Sequence, residues 1–198
     1  RKRALALGLG QLAGGDRGLD AGSALHVLLA RLPRLGIDVT TVDMSDLDAV
    51  RAAVRDNTKL IHSESPVNPV IRLSDLAAIS EIAHAAGAKH SSDATFASPI
   101  GQKTAGLGVD FVMHSITKYI GGHGDAIGGA VCGSADDIKT LNLEAGIHQG
   151  GILSPFNAWL IARGASTLPL RMRAHQEGAL VIARKGFARL QFIHHGGI

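Results

Sequence analysis

A chain of 198 residues, 45% apolar and 19% charged, has enough material for one ordinary globular domain with a buried core. Its longest apolar runs fall far short of the about eighteen residues of a spanning helix, and Arg1-Lys2-Arg3 is followed by no cleavage-type site, which argues against membrane and secretory roles. Twenty Lys and Arg against seventeen Asp and Glu give a formal charge of +3, with the signs interleaved beyond that triplet, so the footprint of a nucleic-acid binder is missing; the single cysteine, Cys132, points to a reducing, cytoplasmic home.

In chain order, an apolar opening stretch closed by Gly14-Gly15 precedes a predicted helix over 24–32, stopped by Pro33. A short β-branched strand is predicted over 37–42, then a helix over 46–54 capped by Ser45. A strand from Lys59 runs into Glu64-Ser65-Pro66-Val67-Asn68-Pro69, whose two prolines force an irregular loop. Ser74 is the predicted cap of the next helix, which lines Leu76, Ile79, Ile82 and Ala83 on one face and ends at Gly87. Strands are predicted near 88–92, 109–114 and 128–131, and helices near 135–143, 155–162 and 170–190. This alternation implies an α/β fold with a mostly parallel sheet flanked by helices. The strand after Gly87 is anomalous: Lys89-His90-Ser91-Ser92 stands where a buried parallel strand should be apolar, at about 1–3 kcal/mol for each group buried without a partner.

Ligands bind such sheets beyond the carboxyl ends of the strands. Here those ends lead into 64–69, 93–96 and 115–125, the densest polar and glycine-rich sequence in the chain. In the last, Ser115 and Thr117 flank one residue beside Lys118 and the turn Gly121-Gly122-His123-Gly124, so two hydroxyls can hold a phosphate while the amine reaches a carbonyl. A phosphorylated aldehyde cofactor needs that pairing. Asp93, ending the preceding strand, can pair with a protonated pyridine nitrogen. Taken singly, each has a plainer reading: a solvated lysine on a polar turn, and an aspartate as a turn former. Gly8-Leu9-Gly10 resembles a dinucleotide turn only weakly and is better explained as part of an apolar helix. His62, His90 and His114 near three strand ends lack any fixed ligand spacing, and no metal site is expected.

The run from Asp110-Phe111 through Lys118-Tyr119-Ile120-Gly121-Gly122-His123-Gly124 resembles the attachment-site signature of the Cys/Met-metabolism enzymes that use pyridoxal phosphate, the gamma-subfamily of fold type I. Glu64 to Pro69, Asp93 to Phe96, and Leu153 to Trp159 with Arg163-Gly164 and Thr167-Leu168 agree in order, and the resemblance covers roughly residue 30 onward. Gly122-His123-Gly124-Asp125 is most similar to methionine gamma-lyases. The resemblance implies pyridoxal 5'-phosphate as cofactor, Lys118 as the Schiff-base lysine and catalytic residue, Asp93 on the ring nitrogen, Ser115 and Thr117 on the phosphate, and Asn68 on the ring hydroxyl. It also implies a small sulfur amino acid as substrate, a homo-oligomer of the tetrameric type, an incomplete large domain over 1–168, and a helix over 169–198 leading toward a missing carboxyl-terminal domain. Gamma-elimination is the activity implied, with trans-sulfuration by a cystathionine gamma-synthase or lyase, or an inactive fragment that keeps the fold, as alternatives. Against the family pattern, the amino-terminal arm and phosphate loop are absent, the strand before 16–23 looks deleted, and Asp20 stands where the family has a ring-stacking tyrosine.

Overall fold

The computed structural model describes residues 2–6, 32–68 and 70–195. Six strands form one sheet in the order β2-β1-β3-β4-β5-β6. They are β1 (Lys2–Ala6), β2 (Ile37–Thr40), β3 (Thr58–Glu64), β4 (Lys89–Asp93), β5 (Phe111–Ser115) and β6 (Gly129–Cys132). The first five are parallel and β6 runs antiparallel beside β5. Five principal helices accompany them: α1 (Leu47–Ala53), α2 (Leu76–Ala85), α3 (Ala135–Leu141), α4 (Pro155–Ala165) and α5 (Leu168–His195). The mostly parallel α/β sheet expected from the sequence is therefore present.

Several local expectations change. Lys2–Ala6, read as part of a basic triplet and an apolar opening, is a strand between β2 and β3. The readings of a helix over 24–32, of the Gly8 turn, of a deleted strand and of Asp20 lie outside the described residues. Pro33 sits within a 3-10 turn, Leu32–Leu35, rather than beyond a helix end. The helix caps are one residue later than predicted. Asp46 accepts hydrogen bonds from the N–H groups of Asp48 and Ala49, and Asp75 accepts one from Ala78 N–H, all at 3.0 Å. Ser45 and Ser74 are each followed by an aspartate, an equally good cap; Ser45 Oγ donates instead to Asp43, while Ser74 Oγ is buried with no partner among the described residues and its N–H donates to Ser65 Oγ. After α3 the chain widens into a π-helical turn, Asn142–His148.

The apolar faces of α1 and α2 close over the sheet through Val50, Leu76, Ile79 and Ala83, against Ile61, Ala88, Val109 and Val112. Inside this core the polar strand finds its partners. His90, fully buried, bridges Ser63 Oγ on β3 at 2.9 Å and Ser80 Oγ on α2 at 2.8 Å, while Ser91 Oγ meets His62 Nδ1 at 2.8 Å. Lys89 reaches outward to Asp110 and Asp137. Only Ser92 Oγ is buried with no partner among the described residues of this strand, so the expected penalty shrinks to about one unmet hydroxyl.

His90 gives the fold a pH dependence. Burial, aided by the neighbouring His62, holds its imidazole to about 4 against an ordinary 6.5. Above pH 6.5 it is neutral folded or unfolded; below, the unfolded chain takes up a proton that the folded core refuses, so stability falls from pH 6.5 to about 4. Half-buried Glu64, raised to about 7, acts in the opposite direction between 4.5 and 7, so the wild-type curve alone does not isolate His90. The urea-unfolding difference between wild type and His90→Asn should shrink by about 3 kcal/mol from pH 7 to pH 4. A pH-independent difference would show that His90 protonates freely in the folded state.

Candidate active site

Three strand ends build one cleft. β3 ends in Glu64 and β4 in Asp93, paired in register, and β5 ends in Ser115, from which the chain turns through Thr117, Lys118 and Tyr119. The cleft has a volume of about 920 Å³ and is also lined by Asn68, Thr95, Phe96, Gly122 and Ile127, and by Arg171 and His175 of α5. All five residues expected from the sequence, Asn68, Asp93, Ser115, Thr117 and Lys118, lie on it. The volume suits a small-molecule site.

The lysine loop is fixed by its backbone. Ser115 N–H donates to Thr95 Oγ1 at 2.7 Å and Lys118 N–H to Ser115 O at 3.1 Å. Gly121 N–H returns to Ile116 O at 2.9 Å and Gly122 N–H to Lys118 O at 2.7 Å. Gly122 has φ of +73°, a conformation that favours glycine. His123 Nδ1–H donates to Gly121 O at 2.7 Å, which places this histidine within the turn. Behind the loop, Gly164 of α4 lies so close that a Cβ there would strike Gly121 O, and Arg163 of the same helix pairs with Asp125 at 2.7 Å.

Lys118 is exposed, and its amine makes no hydrogen bond or ion pair with the described residues. Asp93 spends Oδ1 on Thr95 N–H at 2.9 Å, and Oδ2 has no hydrogen-bond partner among the described residues. Thr117 is more committed: its hydroxyl donates to Gly128 O at 3.2 Å and accepts from Gly128 N–H at 3.0 Å, tying the loop to the start of β6. Glu64 has its carboxyl pushed up to about 7, chiefly by burial and further by the charge of Asp93, against a stabilising bond from Asn68 N–H. Burial also lowers His62 and His114, although Asp93 pulls both up. The three histidines do not converge, because the register sets His62 opposite Ser91 and His90 opposite Ile61, on alternate faces. Among the described residues no cluster of His, Cys, Asp and Glu could hold a metal ion.

Glu64, Thr95 and Phe96 fall within the strand-end segments read from the sequence, but no role was read for them. Arg171 and His175 come from a helix read as a connector, and nothing local in the sequence ties them to a site.

Comparison with known proteins gives this cleft its context. The family model for Cys/Met metabolism PLP-dependent enzymes matches residues 22–185. Canavanine gamma-lyase of Rhizobium leguminosarum bv. trifolii is 48% identical over 167 residues, 83% of this chain and 42% of the relative. Cystathionine gamma-lyase of Bacillus subtilis is 42% identical over 165 residues, 82% of this chain and 43% of the relative. The crystal structure of cystathionine gamma-lyase from Lactobacillus plantarum, complexed with L-serine, superposes with a TM-score of 0.80 at 37% identity, covering 96% of this chain and 46% of that one. The chain thus spans a little under half the length of these relatives. With most of its length matched by the family model, and the fold shared with a solved relative, the chain belongs to the Cys/Met metabolism PLP-dependent enzymes.

Proposed function

We propose that the protein containing this chain binds pyridoxal 5'-phosphate through Lys118 and eliminates or replaces a substituent at Cγ of a small amino acid, as a methionine gamma-lyase-like carbon-sulfur lyase. The observation that carries this is the Lys118 amine, without a partner among the described residues, sharing one cleft with the Oδ2 of Asp93, likewise without one, and the Ser115 hydroxyl. That donor set fits the cofactor: an amine for its aldehyde, a carboxylate for its ring nitrogen and a hydroxyl for its phosphate. When bound, the cofactor supplies a sink for electrons released from a substrate carbon that loses a proton.

The chain's residues supply the rest. Asp93 Oδ2 would hold a proton on the ring nitrogen, and Asn68 would orient the ring hydroxyl. Ser115 would donate to the phosphate, and Thr117 could join it by turning its hydroxyl proton away from Gly128 O. Lys118, once free, would take the proton from the substrate Cα, and a second proton would have to leave Cβ before the Cγ substituent departs with its bonding electrons. Cystathionine gamma-lyase and synthase activities use the same residues and remain alternatives. The relative named for canavanine, which carries oxygen rather than sulfur at Cγ, extends the candidates to other Cγ leaving groups.

In this reading 1–168 belong to the cofactor-binding domain and 169–198 lead out of it, supported by the exposure of Leu180, Val181 and Ile182 on α5. Exposed Ile127, Ile152, Phe156 and Trp159 support assembly with further copies, a homo-oligomer of the tetrameric type. No helix among the described residues is long and apolar enough to cross a membrane, and exposed Cys132 suits a reducing cytoplasm.

Borohydride reduction of the cofactor-loaded protein, followed by peptide mass spectrometry, should place the adduct on Lys118. An adduct on Lys103 or Lys139 would overturn the assignment. Asp93→Asn should keep the adduct but slow exchange of the substrate Cα proton with deuterated water, since each pKa unit lost at the ring nitrogen withdraws about 1.4 kcal/mol. Unchanged exchange would give Asp93 another role. An adduct with no exchange in the wild type would favour the inactive alternative.

A further inference from the structure

Helix α5 grips the lysine loop at the residue after Lys118. Arg171 donates from Nη1 to Tyr119 O at 2.6 Å, from Nη2 to Gly164 O at 2.8 Å and Ile120 O at 3.3 Å, and from Nε to Thr167 Oγ1 at 2.9 Å. Four of the five guanidinium N–H donors are therefore spent on neutral acceptors, and no carboxylate among the described residues pairs with the charge. One turn further, on the same helix face, the ring of His175 meets that of Tyr119 at 5.2 Å between centroids, and the Tyr119 ring meets Phe96 at 6.3 Å. Tyr119 is held by its carbonyl and by its ring. The guanidinium occupies the space beside Gly122, where any Cβ would collide with it.

Charge-assisted bonds from a planar fork fix direction as well as distance. Tyr119 O and Ile120 O belong to the second and third peptide units after the Lys118 Cα, and Lys118 O, in the first, accepts from Gly122 N–H, so the fork and the turn together fix the backbone from which the lysine projects. Gly164 O ties the same fork to α4, which keeps the loop from moving as a unit.

We propose that Arg171 is a positioning residue for Lys118, its fork setting the direction in which the amine enters the cleft. This rests on the proposal that Lys118 carries the cofactor. The test compares Arg171→Met and Arg171→Lys in the full-length protein. Without cofactor, amide hydrogen exchange at Gly121 and Gly122, whose N–H groups close the loop, should rise about tenfold in Arg171→Met, while α2 and β4 keep wild-type protection. The dissociation constant for pyridoxal phosphate should rise by a similar factor, about tenfold. Arg171→Lys should recover little of either, because one ammonium cannot span the carbonyls of both Tyr119 and Gly164.

Exchange that rises equally in α2 and β4 would reduce Arg171 to a stabilising contact and overturn the proposal, as would full recovery by lysine. Mapping the borohydride adduct in the same samples separates the two ideas. An adduct away from Lys118 overturns the functional reading even where the loop has loosened, whereas an adduct on Lys118 with a tight loop and unchanged affinity overturns the role of Arg171 alone.

Discussion

Replacing Lys118 with alanine is expected to abolish covalent attachment of pyridoxal phosphate while leaving the fold in place. The local structure does not use the lysine side chain. Its N–H donates to Ser115 O, its carbonyl accepts from Gly122 N–H, and the following carbonyl accepts from Arg171, and all three bonds survive in the variant. The side chain is exposed and has no partner among the described residues, so the change in folding stability should stay within about 0.5 kcal/mol. Mass spectrometry after borohydride reduction should find no adduct, and urea unfolding should find a nearly unchanged midpoint. A persistent adduct would place the chemistry on another amine. A large loss of stability would make Lys118 structural.

Gly164→Ala is expected to be the most disruptive single-methyl change on this face. The new Cβ would lie against Gly121 O, and the neighbouring contacts are the backbone carbon atoms of Gly121 rather than the end of a side chain that can swing aside. Helix α4 must retreat, and Gly164 O, which accepts from Arg171 Nη2 and Thr167 Oγ1, must move with it. Overpacking of this kind costs about 1–3 kcal/mol, and the loss of the shared carbonyl adds to it. Cofactor affinity should fall together with stability. Gly178→Ala on α5 is the control: its Cβ meets nothing within 4 Å, so the substitution should raise stability by up to about 1 kcal/mol through helix propensity. If Gly164→Ala behaved like Gly178→Ala, the close approach of α4 to the lysine loop would be wrong.

Much of this site can be read without coordinates because strand ends in a parallel sheet are adjacent by construction. Glu64, Asp93 and Ser115 are 29 and 22 positions apart, yet three neighbouring strands deliver them to one edge. Pairings made by side chains across layers are different. The bridge from Ser63 through His90 to Ser80 joins two strands and a helix, and each residue alone looks like a polar intrusion into an apolar element. Arg171 is an ordinary basic residue on a helix, and its target is three backbone carbonyls that carry no signature in the sequence. The serine–aspartate ambiguity at the caps of α1 and α2 is of a third kind: both residues cap well, and the register of the following helix decides between them.

The grip of α5 on the lysine loop also sets an order of events during synthesis. Tyr119 and Arg171 are 52 residues apart. At about 5–20 residues per second, the ribosome makes Lys118 roughly 3–10 s before the arginine that holds the loop behind it. Strands β3 to β5 and the core beneath α1 and α2 are complete by then, so the nascent chain passes through a stage with a formed sheet and an untethered lysine. On the proposed roles of Lys118 and Arg171, cofactor loading would follow docking of α5 rather than accompany closure of the core. The long sequence separation of that last contact places it among the slower events of folding, since loop closure must precede its reward.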